Sequence, residues 1–192
     1  MSARLLLPAV LLIAAATAGV GVLAREVYQR PAAAQGDQVA APGSGPSSSV
    51  PRSAQPGNAA VQLSGDASQH PDGPRVREVL QQFFDAINGH DYEQWAKTVT
   101  AHRVRETPRS QWLSDYESSR DGSILVHRIE SVSPTRLRVL MTFTSTQDVA
   151  KAPAELRADC IHWRVVYPLQ EERGALRVDL GTEGSTSQFT AC

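Results

Sequence analysis

The chain has 192 residues, with 19 Lys and Arg against 20 Asp and Glu, a formal net charge of −1. No Lys/Arg cluster stands out, which excludes a nucleic-acid groove or an anionic-lipid surface, because both partners select a basic face. The first 74 residues carry four basic and four acidic side chains and residues 75–192 carry fifteen and sixteen, so the C-terminal part is near neutral and has room for one domain.

Residues 1–4 form a short N-terminal end containing Arg4, expected on the cytoplasmic side. The run LLLPAVLLIAAATAGVGVLA (5–24) is 20 residues without a charge. As a helix it spans roughly 30 Å, the hydrocarbon thickness of a bilayer. It reads as a single-pass anchor, being longer than the core of an ordinary secretory signal. Val22-Leu23-Ala24 keeps a cleaved signal as the rival reading. Either way the remainder is exported, secreted if the segment is cleaved and otherwise held at the cell membrane. Arg25 and Arg30 on the far side weaken the positive-inside argument.

Residues 25–74 read as a disordered linker rich in Pro, Gly, Ser and Ala. Between Arg30 and Arg75 there are seven prolines and six glycines and almost no large apolar side chain. Such a segment lacks the surface to offset its conformational entropy. It predicts a tether with a coil span of about 35–40 Å.

From residue 75 to 192 the pattern is that of a folded domain. Val76, Val79, Leu80, Phe83, Phe84 and Ile87 recur on one helical stripe. Asn88-Gly89 is expected to supply the left-handed residue that ends this helix, and Asp91 with Gln94 to cap a second, short one whose inner side carries Tyr92, Trp95 and Val99. Thr107-Pro108 predicts the start of a third helix, with Trp112, Leu113 and Tyr116 on its buried face and an end near Gly122. The period then drops to 2. Ile124 and Val126 mark one strand, and Leu137, Val139, Met141 and Phe143 a second, with Ser133-Pro134 as the hairpin corner. Ile161, Trp163, Val165 and Tyr167 mark a third, and GALRVDLGT (174–182) a fourth. Three helices followed by four antiparallel strands define an α+β segregation.

Cys160 and Cys192 are the two cysteines of the chain. In an exported protein such a pair is read as a disulfide, since the spacing suits neither a metal nor a redox motif. It would tie the extreme C-terminus to an internal strand. Cys160-x-His162 offers two metal ligands without a third or fourth. Phosphate loops, Gly-x-Ser-x-Gly and His-Glu-x-x-His are missing, so no catalytic residue, metal or cofactor is assigned.

The first helical pair, with its Phe-Phe-x-Ala-Ile-Asn-x-x-Asp-Tyr-x-x-Trp corner (83–95), the short third helix and the strands CIHWRVVYPL and GALRVDL resemble the nuclear transport factor 2-like superfamily, also called SnoaL-like or cystatin-like cones. The style is that of small exported actinobacterial proteins with an anchor and a Pro/Ser tether. The resemblance covers roughly residues 75–185. It implies a curved sheet of four or more strands wrapped around the helices, often with an internal pocket, and dimerisation through the outer sheet face. Trp95, Trp112 and Tyr116 are the aromatic pocket candidates, with plain core packing as the competing role. His127 and His162 are the polar candidates, needing an orienting carboxylate from Asp148, Asp159 or Asp179. The strand arginines 136, 138, 157, 164 and 177 read as a mixed-charge outer surface. The expected function is a membrane-tethered extracytoplasmic, non-enzymatic module for an envelope protein partner or a small apolar ligand. The alternative is a SnoaL-like enzyme performing isomerisation, hydration or cyclisation by acid–base chemistry in the cone.

Overall fold

A computed structural model of the chain describes residues 51–180 and 186–192. The apolar run 5–24 and linker residues 25–50 lie outside the described residues. No helix among the described residues is long and apolar enough to cross a membrane.

The chain enters the domain earlier than its composition suggests. Residues 51–74, expected as linker, contribute strand β1 (Gln62–Leu63) and helix α1 (Gly65–Gln69). Strand β1 lies parallel to the middle of β2 (Arg120–Ser133), pairing Gln62 with Leu125. Val61 and Ala67 are buried. The Gln81 side chain accepts from the Val61 N–H at 2.8 Å and donates to the Ala59 carbonyl at 3.2 Å. Ser64 caps α1, accepting from the Ala67 N–H, while its own hydroxyl donates to the His127 carbonyl at 2.7 Å. The entropy argument for a tether holds only where the segment has nothing to dock on. Here a preformed helix and strand edge satisfy its backbone groups, and a few small apolar side chains suffice to hold it.

Helix α2 (Gly73–Gly89) carries Pro74 in its first turn and buries the whole stripe from Val76 to Ile87. It ends one residue later than expected: His90, not Gly89, is left-handed (φ 54°, ψ 34°), and its N–H donates to the Ile87 carbonyl. The reason is Asn88, whose amide is committed elsewhere. It donates to the Asp121 carbonyl at 2.9 Å and accepts from the Asp121 N–H at 2.6 Å, which requires the helix to continue through Asn88 and defers the reversal. Asp91 then caps α3 (Tyr92–Thr98) by accepting from the Gln94 N–H at 2.9 Å.

A further helix, α4 (Ala101–Glu106), follows, capped by Thr100. Thr107, expected as the cap of the next helix, instead closes α4, and its carbonyl accepts from the Tyr92 hydroxyl at 3.1 Å. Helix α5 (Arg109–Tyr116) starts directly after Pro108.

Among the described residues the sheet has six strands, two more than the clear alternations marked. Strand β3 (Arg136–Thr146) forms the expected hairpin with β2, and β4 (Cys160–Glu172) runs antiparallel to β3 in unbroken register from Arg136↔Gln170 to Thr146↔Cys160. Strand β5 (Ala175–Val178) and strand β6 (Thr186–Ala191) share the other edge of β4, β5 pairing its C-terminal end and β6 residues 161–166. Because β1 is parallel to β2, the sheet is mixed, not purely antiparallel. The disulfide Cys160–Cys192 forms as read from the cysteine count and pins β6 to the start of β4.

Helices α2, α3 and α5 cover the sheet face that carries Ile124, Val126, Val139, Met141, Val165 and Leu169. This helix-on-sheet order agrees with the cone expected from the resemblance. Among the described residues the core lies between residues 61 and 178, within one compact unit, 48–192, which gives that segment the means to fold by itself.

Candidate functional site

Between α2, α5 and the inner sheet face lies a half-open cavity of about 330 Å³, within the size range of small-molecule sites. Its floor and walls are aromatic. Phe83 and Phe84 reach it from α2, Tyr116 from α5, Phe143 from β3, and Trp163 and Tyr167 from β4. The rings touch in sequence: Phe84 meets Phe143 edge-on at 5.1 Å between centroids, Phe143 stacks on Trp163 at 6.0 Å and 14°, and Phe83 meets Tyr167 at 6.3 Å. Ser187 of β6 completes the wall, and Lys151 and Pro153 stand among the residues of the β3–β4 connection that line it.

One carboxyl is set into this apolar surround. Asp121, at the start of β2, lines the cavity and is 5% exposed. Its Oδ1 accepts from the Ser145 hydroxyl, and Asn88 brackets its backbone. Burial disfavours the ionised form and lifts its pKa from an ordinary 3.8 to about 6, the Ser145 hydrogen bond pulling the other way. The two neighbouring phenols are pushed up as well. Tyr116 rises to about 12, chiefly by burial and secondarily by the charge of Asp121; Tyr167 rises well above its usual value for the same first reason, with Arg103 opposing in both cases. Both hydroxyls therefore stay protonated through the neutral range. The arrangement can seat an apolar body against the rings, offer it phenolic hydrogen bonds, and hold or release one proton near pH 6.

The aromatic and polar candidates divide. Tyr116 lines the cavity. Trp95 and Trp112 do not: they are fully buried behind it in a ring series running from Tyr116 to Trp112 (5.1 Å) and on to Trp95 (5.5 Å). Their work is packing, although their indole N–H groups have no hydrogen-bond partner among the described residues. His127 and His162 project from the opposite face of the sheet. His127 Nε2 is 2.8 Å from Thr142 Oγ1 and His162 Nδ1 is 2.8 Å from Thr144 Oγ1. Burial, helped by Arg164, lowers the His127 pKa. His162 lines a second concavity of about 500 Å³ of mixed character, with Phe143, Trp163, Arg164, Phe189 and Thr190.

Of the three carboxylates proposed to orient those histidines, Asp159 pairs with Arg52 at 2.7 Å and Asp179 accepts from the Thr100 hydroxyl at 2.8 Å. No cluster of three or more His, Cys, Asp or Glu suited to a metal occurs among the described residues.

Asp121 escaped the reading of the sequence for a physical reason. Asp-Gly before a strand reads as a turn, and period-2 counting back from Ile124 puts Asp121 on the wrong face. Ser123 adopts a left-handed φ of 51° and the β2–β3 register shifts between Gly122 and Leu125, so the phase reverses and Asp121 and Ile124 are both buried.

No family model matches the chain, and no curated protein matches it. Among solved structures, the chain is similar to a Delta 5-3-ketosteroid isomerase from Mycobacterium sp., with 13% identity over 60% of this chain and 98% of that one at a TM-score of 0.36. It is also similar to RV0760c from Mycobacterium tuberculosis (12% identity, 62% and 100% coverage, TM-score 0.36) and to a computationally designed 17-OHP binder (13%, 60% and 98%, TM-score 0.33). No residue role is transferred from them.

Proposed function

We propose that the chain is a membrane-tethered extracytoplasmic binding module whose interior cavity takes a small, largely apolar ligand. The observation that carries this is the aromatic pocket itself: six rings converge on a half-open concavity of about 330 Å³, the size and apolar character of a small-molecule site. The disulfide supports an oxidising, exported setting, and the 5–24 run supplies the anchor. Burial of the ligand's apolar surface would provide the driving force, at about 25 cal/mol per Å² removed from water.

The test is native mass spectrometry of residues 48–192 produced through an oxidising export route, followed by titration with apolar probes. A retained small molecule, or probe binding abolished by Phe84→Trp, which fills the cavity, supports the module. Failure of the intact domain to retain or bind any apolar molecule refutes it.

A second reading is favoured by Asp121 alone. A buried carboxyl that exchanges its proton near pH 6 inside an aromatic pocket has the proton affinity of a general acid–base group. On that reading the domain catalyses an isomerisation, hydration or cyclisation, and turnover on a cavity ligand would disappear in Asp121→Asn.

A further inference from the structure

The charges around the cavity are unequal in their freedom. Two carboxylates, Asp115 and Asp121, and one ammonium, Lys151, line it. Lys151 is already committed: its Nζ donates to the Ser114 carbonyl at 2.7 Å and to the Ser114 hydroxyl at 3.1 Å, and lies 3.1 Å from Glu117 Oε1. Asp115 accepts from the Gln111 amide at 2.7 Å. Among the described residues, the Asp121 carboxyl accepts from one neutral hydroxyl, that of Ser145.

An ionised carboxyl buried with one neutral donor is under-compensated. The other groups around it do not change this. Asn88 on α2 engages its backbone, Tyr116 on α5 and Tyr167 on β4 are neutral phenols, and Arg103 on α4 acts on those phenols from outside the lining. His90 is turned to Arg120, 2.8 Å from its Nη1. The half-open pocket therefore carries one buried carboxyl, that of Asp121, beside six aromatic rings, with Asp115 exposed at its rim, and both features attract the same chemistry. The negative face of an aromatic ring draws a cation, most strongly where water is excluded.

We infer that the natural ligand is an organic cation: an apolar body bearing an ammonium group, seated against Asp121 and the surrounding rings. This rests on the reading that the cavity binds a small apolar ligand, and it adds the sign of the ligand's polar end. A carbonyl or hydroxyl ligand would be held equally well by a protonated Asp121, whereas a cation needs the ionised form. The two alternatives have opposite or different responses to pH.

The experiment is isothermal titration of residues 48–192 with phenyltrimethylammonium and with its uncharged isostere tert-butylbenzene, from about pH 5 to about pH 7. With Asp121 titrating near pH 6, its ionised fraction rises about tenfold over that range, and the cation's affinity should rise about tenfold with it. The affinity of tert-butylbenzene should not change. In Asp121→Asn the pH response of the cation should vanish and its affinity at about pH 7 fall by about tenfold, with tert-butylbenzene unaffected. Should that variant fail to fold, the wild-type pH series decides alone. If the neutral isostere binds as tightly as the cation near pH 7, or if the cation's affinity ignores pH, the cation inference is overturned and cavity binding stands. If neither probe binds, both readings fall.

Discussion

Replacing Asp121 by asparagine should stabilise the domain, and should do so only above acid pH. Burial raises this carboxyl from 3.8 to about 6 in the fold. The folded state thus holds the proton more tightly than the unfolded chain. The stabilisation from that proton is fully present below 3.8 and is lost as pH rises through about 6. The difference of about two pKa units corresponds to about 3 kcal/mol of destabilisation once Asp121 is ionised. Asparagine has nearly the same shape, cannot ionise, and keeps an oxygen to accept the Ser145 hydroxyl, so the variant avoids that cost without orphaning its neighbour.

The gain should therefore be about 3 kcal/mol near pH 8 and about 1 kcal/mol near pH 4.5. In a unit of this size the larger value corresponds to roughly 10 °C in Tm. Thermal melts of wild type and variant at the two pH values measure it. Other carboxylates shift both proteins alike, so the quantity of interest is the difference between the two curves. A difference that is the same at both pH values, or a variant that melts lower near pH 8, would refute the assignment of Asp121 as a buried, under-compensated acid.

Three further outcomes follow from the packing. Reducing the Cys160–Cys192 bridge, which spans 32 residues of sequence, should lower unfolding free energy by about 3.5 kcal/mol on the chain-entropy model. Denaturant midpoints with and without reductant read this, and an unchanged midpoint contradicts it. Trp112→Ala should cost about 3–5 kcal/mol, because Trp112 is fully buried between the Trp95 and Tyr116 rings; urea unfolding showing under 1 kcal/mol would mean that the ring series collapses to fill the gap. Gly122→Ala places a methyl 2.6 Å from the Gly57 carbonyl oxygen and 2.8 Å from that of Pro56. It should loosen the 51–61 segment at about 1–3 kcal/mol, seen as faster proteolysis there while the core stays protected. Equal cleavage rates would show that this segment is not held at Gly122.

Much of the fold was legible because it rests on local periodicity. The Val76–Ile87 stripe is buried along its whole length, Asp91 caps the helix it precedes, and Ser133-Pro134 turns the hairpin. The parts that were not legible depend on partners distant in sequence. Residues 59–64 carry a linker's composition and are ordered by Gln81 and β2. Strand β6 has only one large apolar side chain, Phe189, and is a strand because β4 offers its free edge and Cys160 anchors its end. The binding candidates show the same division. Tyr116 was found by helical spacing, but His127 and His162 turn outward, and spacing could not rank Trp112 as packing and Tyr116 as wall.

The sequence by itself determined the α+β class, the helical corner, the hairpin and the cysteine pair, since each is encoded by side-chain periodicity, a capping residue or simple chemistry within a short window or a count. Only the tertiary structure decided which side chains surround empty space and which carboxyl lies there. Asp121 is a site residue because a left-handed Ser123 and a register shift reverse the strand's phase, and because α2, α5 and β4 meet around it without filling the gap. A cavity is a shortfall of volume among segments far apart in sequence, and no single segment records it.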